Sequence, residues 1–259
     1  MMKFHHAALA ALGTFVALST AQAREVCTAI ADAGSGAVLM QRGDCTSRVT
    51  PASTFKIAIS LMGYDSGFLK DEHTPLLPYR EGYVDWRENW KQPTDPTKWI
   101  KDSVVWYSQQ VTQSLGKQRF ADYTRRFQYG NADVTGDAEH DGLTLAWIHS
   151  SLQISPLEQL AFLEKVVNRQ LGVSPHAYDM TTVITKAEQA PDGWDMHGKT
   201  GAAGGWGWYV GWASKGARTY VFARLIHDDA GETSDIPAGF RARDAFMADF
   251  PALINALPR

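Results

Sequence analysis

Strand-like runs stand at the two ends of this chain and helix-period segments fill its middle, so a sheet forms only if the two ends come together. Residues 26–31 and 37–40 are short apolar runs separated by Ala33-Gly34-Ser35-Gly36, the composition of a β-hairpin. Helix-period segments follow at 54–62, 103–115, 120–127 and 156–167, joined by Pro- and Trp-rich connections such as 90–99. Residues 193–198, 207–212 and 218–226 then read as three strands, and 238–257 as a closing helix. Strands outside and helices inside predict an α+β domain, with an antiparallel sheet built from both chain ends around a helical middle region. No internal repeat, low-complexity tract or linker divides it.

The first 23 residues carry Lys3 as their only fixed charge, then an apolar core from Ala7 to Leu18, then Ala21-Gln22-Ala23. That is the pattern of a cleaved secretory signal peptide, and its apolar core is shorter than the roughly 20 residues a spanning helix needs. A mature chain beginning near Arg24, residues 24–259, is expected to be one soluble domain. Lys and Arg total 25 against 28 Asp and Glu, and with Lys3 removed the excess of negative charge is mild. No polybasic run recruits nucleic acid or an anionic membrane surface. Both cysteines, Cys27 and Cys45, lie near the mature N-terminus of a chain bound for an oxidising compartment, which favours their pairing. A hairpin turning at 33–36 would set Cys27 opposite residue 42, so a disulfide requires the chain to fold back after Gly43.

Ser53-Thr54-Phe55-Lys56 sets a hydroxyl three residues from an amine, on one face of a helix that begins near Ser53. The helix N-terminus there favours developing negative charge. A second Ser-x-x-Lys, Ser114-Leu115-Gly116-Lys117, is flanked by Gln118 and Arg119 and reads as a solvated helix end. What distinguishes Ser53 is its company. Ser103-Val104-Val105 offers a second hydroxyl at an expected helix start, and Tyr129-Gly130-Asn131 a turn. Lys199-Thr200-Gly201 offers a cation and a hydroxyl on a strand-like segment, where the glycine permits close approach of another backbone.

Ser-x-x-Lys, Ser-x-Val, Tyr-Gly-Asn and Lys-Thr-Gly in this order closely resemble the class D serine β-lactamases, the oxacillinase family of the penicillin-recognising serine enzymes. The resemblance covers nearly the whole mature chain. It implies a β-lactamase/transpeptidase-like fold and an acyl-enzyme on Ser53. It also implies an oxyanion hole from the backbone N–H groups of Ser53 and Ala202. Lys56 matches the lysine that takes up carbon dioxide to become an N-carboxylated base. A free lysine amine has a pKa near 10.4, so burial must depress it, and Phe55, Val105 and Trp147 are the apolar neighbours expected to do so. The Trp147 indole N–H would support the resulting anion. Ser103 would relay a proton to the leaving nitrogen, and Lys199, Thr200, Gly201 and Arg241 would surround the substrate carboxylate. No cofactor beyond carbon dioxide is implied, and the partners are small β-lactams met outside the cytoplasm, in the bacterial periplasm.

Two other patterns point elsewhere. Glu164-Lys165-Val166-Val167-Asn168 copies the Glu-x-x-x-Asn spacing of a different β-lactamase class, but it lies in a helix-period segment whose polar side faces solvent. His149, His197 and His227 show no metal-ligand spacing. The rival readings are a D-alanyl-D-alanine peptidase and a β-lactam sensor domain, both of which acylate without fast release.

Overall fold

The computed structural model describes residues 23–229 and 234–258. The expected leader, residues 1–23, lies outside the described residues except for Ala23. Strands β1 (Arg24–Asp32) and β2 (Val38–Gly43) form the predicted hairpin, and β3 (Asp195–Ala203), β4 (Trp206–Lys215) and β5 (Arg218–His227) supply the C-terminal strands. The order is β2-β1-β5-β4-β3, with every neighbouring pair antiparallel. Arg24 faces His227 and Asp32 faces Tyr220, so β1 and β5 close the sheet by joining the two ends of the chain. The fold class expected from the segment order is the one observed.

β3 reaches five residues past the stretch predicted for it. Lys199, Thr200 and Gly201 remain paired with Val210, Tyr209 and Trp208, polar and glycine content having hidden the strand from a pattern of apolar residues. β3 is an edge strand of the sheet, its outer flank bridged to residues 185–187 around His197.

The middle is helical, with α1 (Lys56–Asp65), α2 (Pro96–Asp102), α3 (Val105–Arg126), α4 (Gly142–Leu145), α5 (Pro156–Val167) and α6 (Pro175–Ile184), and α7 (Ala238–Asn255) closes the chain. Every residue of α1 from Lys56 to Tyr64 is buried, as its nearly continuous apolar sequence requires. Ser155 and Glu158 form a capping box at the start of α5. Three helices escaped the apolar pattern but carried cap signals: Asp95 before Pro96 at α2, Asp141 before Gly142 at α4, and Ser174 before Pro175 at α6. The two segments predicted at 103–115 and 120–127 are joined in α3 across a kink at Gly116, whose φ of 74° no helix continues. Ser103 is not a helix start: it ends α2 in the left-handed region, and α3 begins at Val105.

The sheet carries a core on each face. Against one, α7 stacks Phe246 on Phe222 at 4.3 Å and sets Phe250 edge-on to Trp194 at 5.5 Å. Against the other lies α5, packed on β1, β4 and β5, in a core that includes Phe55, Trp208 and Val221.

Cys27 and Cys45 are joined and wholly buried. Cys27 pairs with Gly43, after which the chain folds back and Asp44 N–H donates to the Val26 carbonyl. Gly43 holds φ of 78°, and a Cβ there would lie 2.1 Å from that same carbonyl, so only glycine makes this corner. The disulfide closes a loop of 18 residues, a constraint that stabilises the fold by about 3 kcal/mol. Reduction, or the Cys27→Ala/Cys45→Ala pair, should therefore lower Tm by roughly 6 to 12 °C in a calorimetric scan; an unchanged Tm would contradict the assignment.

Gly201 is the contact that seats β3 on the turn before α1. A Cβ there would meet the Pro51 carbonyl oxygen at 2.9 Å and the Thr54 backbone nitrogen at 3.1 Å, and Gly239 approaches Gly201 closely from the other side. Gly201→Ala should cost about 1 to 3 kcal/mol in denaturant unfolding, because backbone rather than a flexible side chain must yield. Gly216→Ala, in open space at positive φ, reads the strain of conformation without crowding, whereas Gly201 is not at positive φ and its substitution reads crowding.

Candidate active site

The turn Ala52–Phe55 is a single 3-10 turn that leads into α1 at Lys56. Ala52 enters it at φ of 49°, an uncommon conformation for a residue with a Cβ. The turn is held by Thr54, whose hydroxyl donates to the Pro51 carbonyl at 2.7 Å and accepts from Gln159 at 2.9 Å. Ser53 is left at the cleft surface. Lys56 Nζ donates to Ser53 Oγ at 2.9 Å, which is the nucleophile–amine pair expected from the spacing.

Lys56 is wholly buried. Burial holds its amine well below the usual lysine range, and the positive charges of Lys199 and Arg87 push the same way. The predicted apolar surroundings are present. Phe55 lies 5.9 Å from Trp147, ring to ring, and 4.8 Å from Tyr129, and Val105 is buried beside the cleft. Trp147 is itself fully buried, and its indole N–H finds no hydrogen-bond partner among the described residues. A buried indole donor nearly always has one, so this vacancy for an acceptor fits an added carboxylate on Lys56.

Across the cleft stands β3. Lys199 is buried, and its Nζ donates to the Thr200 carbonyl at 3.0 Å and to the Thr200 hydroxyl at 3.3 Å. Burial, followed by the charges of Arg87 and Arg243, lowers its pKa to about 7. Ser103, at φ of 60°, points its short polar side chain into the same space. The cleft has a volume of about 240 Å3 and brings Ser53, Ser103, Val105, Thr200, Gly201 and Ala202 together. An exposed nucleophile paired with an amine and facing a second hydroxyl is an arrangement for acyl transfer.

Arg241 does not join this group. Its guanidinium donates to both carboxylate oxygens of Asp228 at 2.6 Å and to the Ile236 carbonyl at 3.0 Å, and it does not line the cleft. The expected register placed the wrong face of α7 toward the cleft: Arg243, two residues on, is the one that stacks on the cleft residue Phe240 and acts on Lys199. The Tyr129-Gly130-Asn131 turn is structural, with buried Tyr129 accepting from Gln159 and exposed Asn131 fastening the chain at Ser151 and Gln153.

The second Ser-x-x-Lys and the Glu-x-x-x-Asn pattern lie away from the cleft. Ser114 donates to the Val111 carbonyl on an exposed helix surface, and Lys117 pairs with Asp141. Glu164 lies over the β1–β2 turn at Gly36, and Asn168 donates to the Ala33 carbonyl, both at the far edge of the sheet from Ser53. Among the described residues no group of three or more His, Cys, Asp or Glu side chains gathers as a metal site. The outer wall was not foreseen: Trp86, Arg87, Trp90 and Phe240 line the cleft as well. The signal was the aromatic-cationic stretch Trp86-Arg87-Glu88-Asn89-Trp90, read only as a connection.

The model of the penicillin binding protein transpeptidase domain matches residues 15–249. Beta-lactamase OXA-9 of Klebsiella pneumoniae is 43% identical over 245 residues, 88% of either chain. Beta-lactamase OXA-1 of Escherichia coli is 36% identical, covering 83% of this chain and 81% of its own. The crystal structure of the OXA-427 class D β-lactamase superposes with a TM-score of 0.83 at 43% identity, covering 90% of this chain and 99% of that one. Sequence and fold agree with the paired serine and lysine on the turn before α1: this chain belongs to the class D serine β-lactamases.

Proposed function

We propose that this β-lactamase opens the lactam amide by acylating Ser53 and regenerates the enzyme with a base built on Lys56. The observation that carries this reading is the 2.9 Å contact between Lys56 Nζ and Ser53 Oγ, with the amine wholly buried and depressed. Ser53 Oγ forms the bond to the lactam carbonyl carbon while its proton passes to Lys56. The Ser53 and Ala202 N–H groups hold the oxyanion. As the C–N bond breaks, Ser103 hands its proton to the departing nitrogen and takes from Lys56 the one that left Ser53. Water then attacks the Ser53 ester, giving up a proton to the base, which passes it to Ser53 Oγ as the ester bond breaks and the ring-opened acid leaves. Carbon dioxide added to the Lys56 amine would supply that base as a carbamate active near neutral pH, with the Trp147 indole N–H donating to it. Val105 and Phe55 exclude bulk water from the amine, and Lys199 and Thr200 receive the substrate carboxylate. Arg241 stays with Asp228.

Residues 24–259 would act as one catalytic unit released from its leader into the periplasm. Among the described residues no helix is long and apolar enough to cross a membrane.

A slowly released β-lactam should add one drug mass to the protein, and peptide mapping should find it on Ser53. An adduct on Ser114, or none, would reject the assignment. Multiple turnovers of a chromogenic β-lactam set the enzyme apart from a peptidase or sensor that only captures the drug.

The second test addresses Lys56. Only the neutral amine takes up carbon dioxide, and the depressed pKa makes that form available near neutrality, so acidification or degassing should slow turnover and bicarbonate restore it. Carbon-13 bicarbonate should give a carbamate resonance that Lys56→Ala abolishes. Trp147→Phe keeps the ring and removes the donor, which costs about 1 to 3 kcal/mol at a buried charged group, or roughly 5- to 150-fold in deacylation. Turnover indifferent to bicarbonate in both proteins, with no resonance, would mean that Lys56 works as a plain amine.

A further inference from the structure

Arg87 is the cation of this cleft that nothing in the protein uses. It lines the cleft from the outer wall, half-buried, and enters the short turn Glu88–Trp90 in an extended conformation. Its guanidinium carbon lies 5.8 Å from the centroid of Trp90 and 5.7 Å from that of Phe240, two rings brought together from segments 150 residues apart. Contact with aromatic faces holds a guanidinium in place while leaving its in-plane N–H donors unspent.

Those donors have no acceptor among the described residues. The two acids beside it in sequence, Asp85 and Glu88, are both held by Lys91. Arg241 is taken by Asp228, and Arg243 by Asp244. Lys199 has no carboxylate partner either, only the carbonyl and hydroxyl of Thr200. Arg87 lines the same cleft as Thr200, the residue that Lys199 Nζ meets, and after burial its charge is among the causes that lower the Lys199 pKa. Among the described residues that line the cleft Arg87 alone carries a charge and none is acidic, and Lys199 lies buried against the lining residue Thr200 on the β3 wall.

We propose that Arg87 binds the ring carboxylate of the β-lactam, bracketing it from the outer wall while Lys199 and Thr200 hold it from β3. This rests on the reading that β3 receives that carboxylate, and it adds a residue from a loop that carries none of the recognised motifs. The stacking on Trp90 and Phe240 presents Arg87 in advance, so little order is lost when the anion arrives. The bracket distinguishes anionic substrates from neutral ones, not one ring system from another.

The test uses benzylpenicillin and its methyl ester, which differ only in that carboxylate, with kcat/KM measured for the parent, Arg87→Ala, Arg87→Lys and Thr200→Val. Arg87→Ala should lose about tenfold on the acid, mostly through KM, as expected for one charge-assisted hydrogen bond at a half-exposed site. On the ester it should lose no more than about twofold, and Arg87→Lys should keep most of the activity on the acid. Added salt should weaken the parent on the acid more than on the ester. Equal losses on acid and ester would make Arg87 a structural support, and no loss on the acid would leave it without a role; either result overturns the proposal. If Thr200→Val leaves the preference for the acid intact while Arg87→Ala removes it, the β3 reading fails and Arg87 stands.

Discussion

Taking one lysine amine wholly out of water is the constraint around which the rest of this structure is arranged. An ammonium at the Lys56 position would have to leave water without a counter-charge, and the two charges that act on it, from Lys199 and Arg87, are also positive. The amine is therefore neutral far more readily than a surface lysine, and a neutral amine beside Ser53 Oγ accepts a proton. Such burial needs walls. Phe55 turns inward from the 3-10 turn, Phe120 comes from the far half of α3, and Trp147 follows α4. Tyr129 closes the cage from below, fixed by Gln159 of α5. Four separate segments must be in place before Lys56 can be dry, which is why the helical middle belongs to the site as much as the motifs do.

The sheet supplies the other half. Because β1 lies between β2 and β5, the N-terminal hairpin covers one side of the C-terminal meander and leaves β3 at the opposite edge. An edge strand has backbone groups to offer, and Gly201 lets that edge lie against the turn bearing Ser53. The packing of β3 against the Ser53 turn thus depends on close backbone approach at two glycines, Gly201 and Gly239.

The sequence was most readable where chemistry and period coincide. Ser53 and Lys56 stand three apart, and that spacing holds in the 3-10 turn as it would in an α-helix. The sheet closed by both ends followed from segment order alone, and α5 matched its predicted bounds because a capping box and Pro156 mark its start. What remained hidden was contact between segments far apart. Arg241 and Arg243 are both plausible on sequence, and only helix phase decides: Phe246 and Phe250 must face the sheet, which leaves Arg241 free to meet Asp228. Ser103 is a loop residue at positive φ, which apolar periodicity cannot register. Arg87 is hidden for a similar reason, since Phe240, one of the two rings it contacts, comes from α7.

The cations and the base are linked through the substrate. Lys199 and Arg87 depress the Lys56 amine as long as their charges stand unopposed. A carboxylate drawn to that end of the cleft offsets those charges, and removing positive potential raises a lysine pKa. Binding an anion therefore makes Lys56 a stronger proton acceptor at the moment Ser53 must give up its proton. A neutral ligand filling the same cleft leaves the cations unopposed and the amine weak. On the proposed reading, recognition of the substrate charge and activation of the nucleophile would be one electrostatic event, in which two buried or half-buried cations first draw in the anion and are then quenched by it.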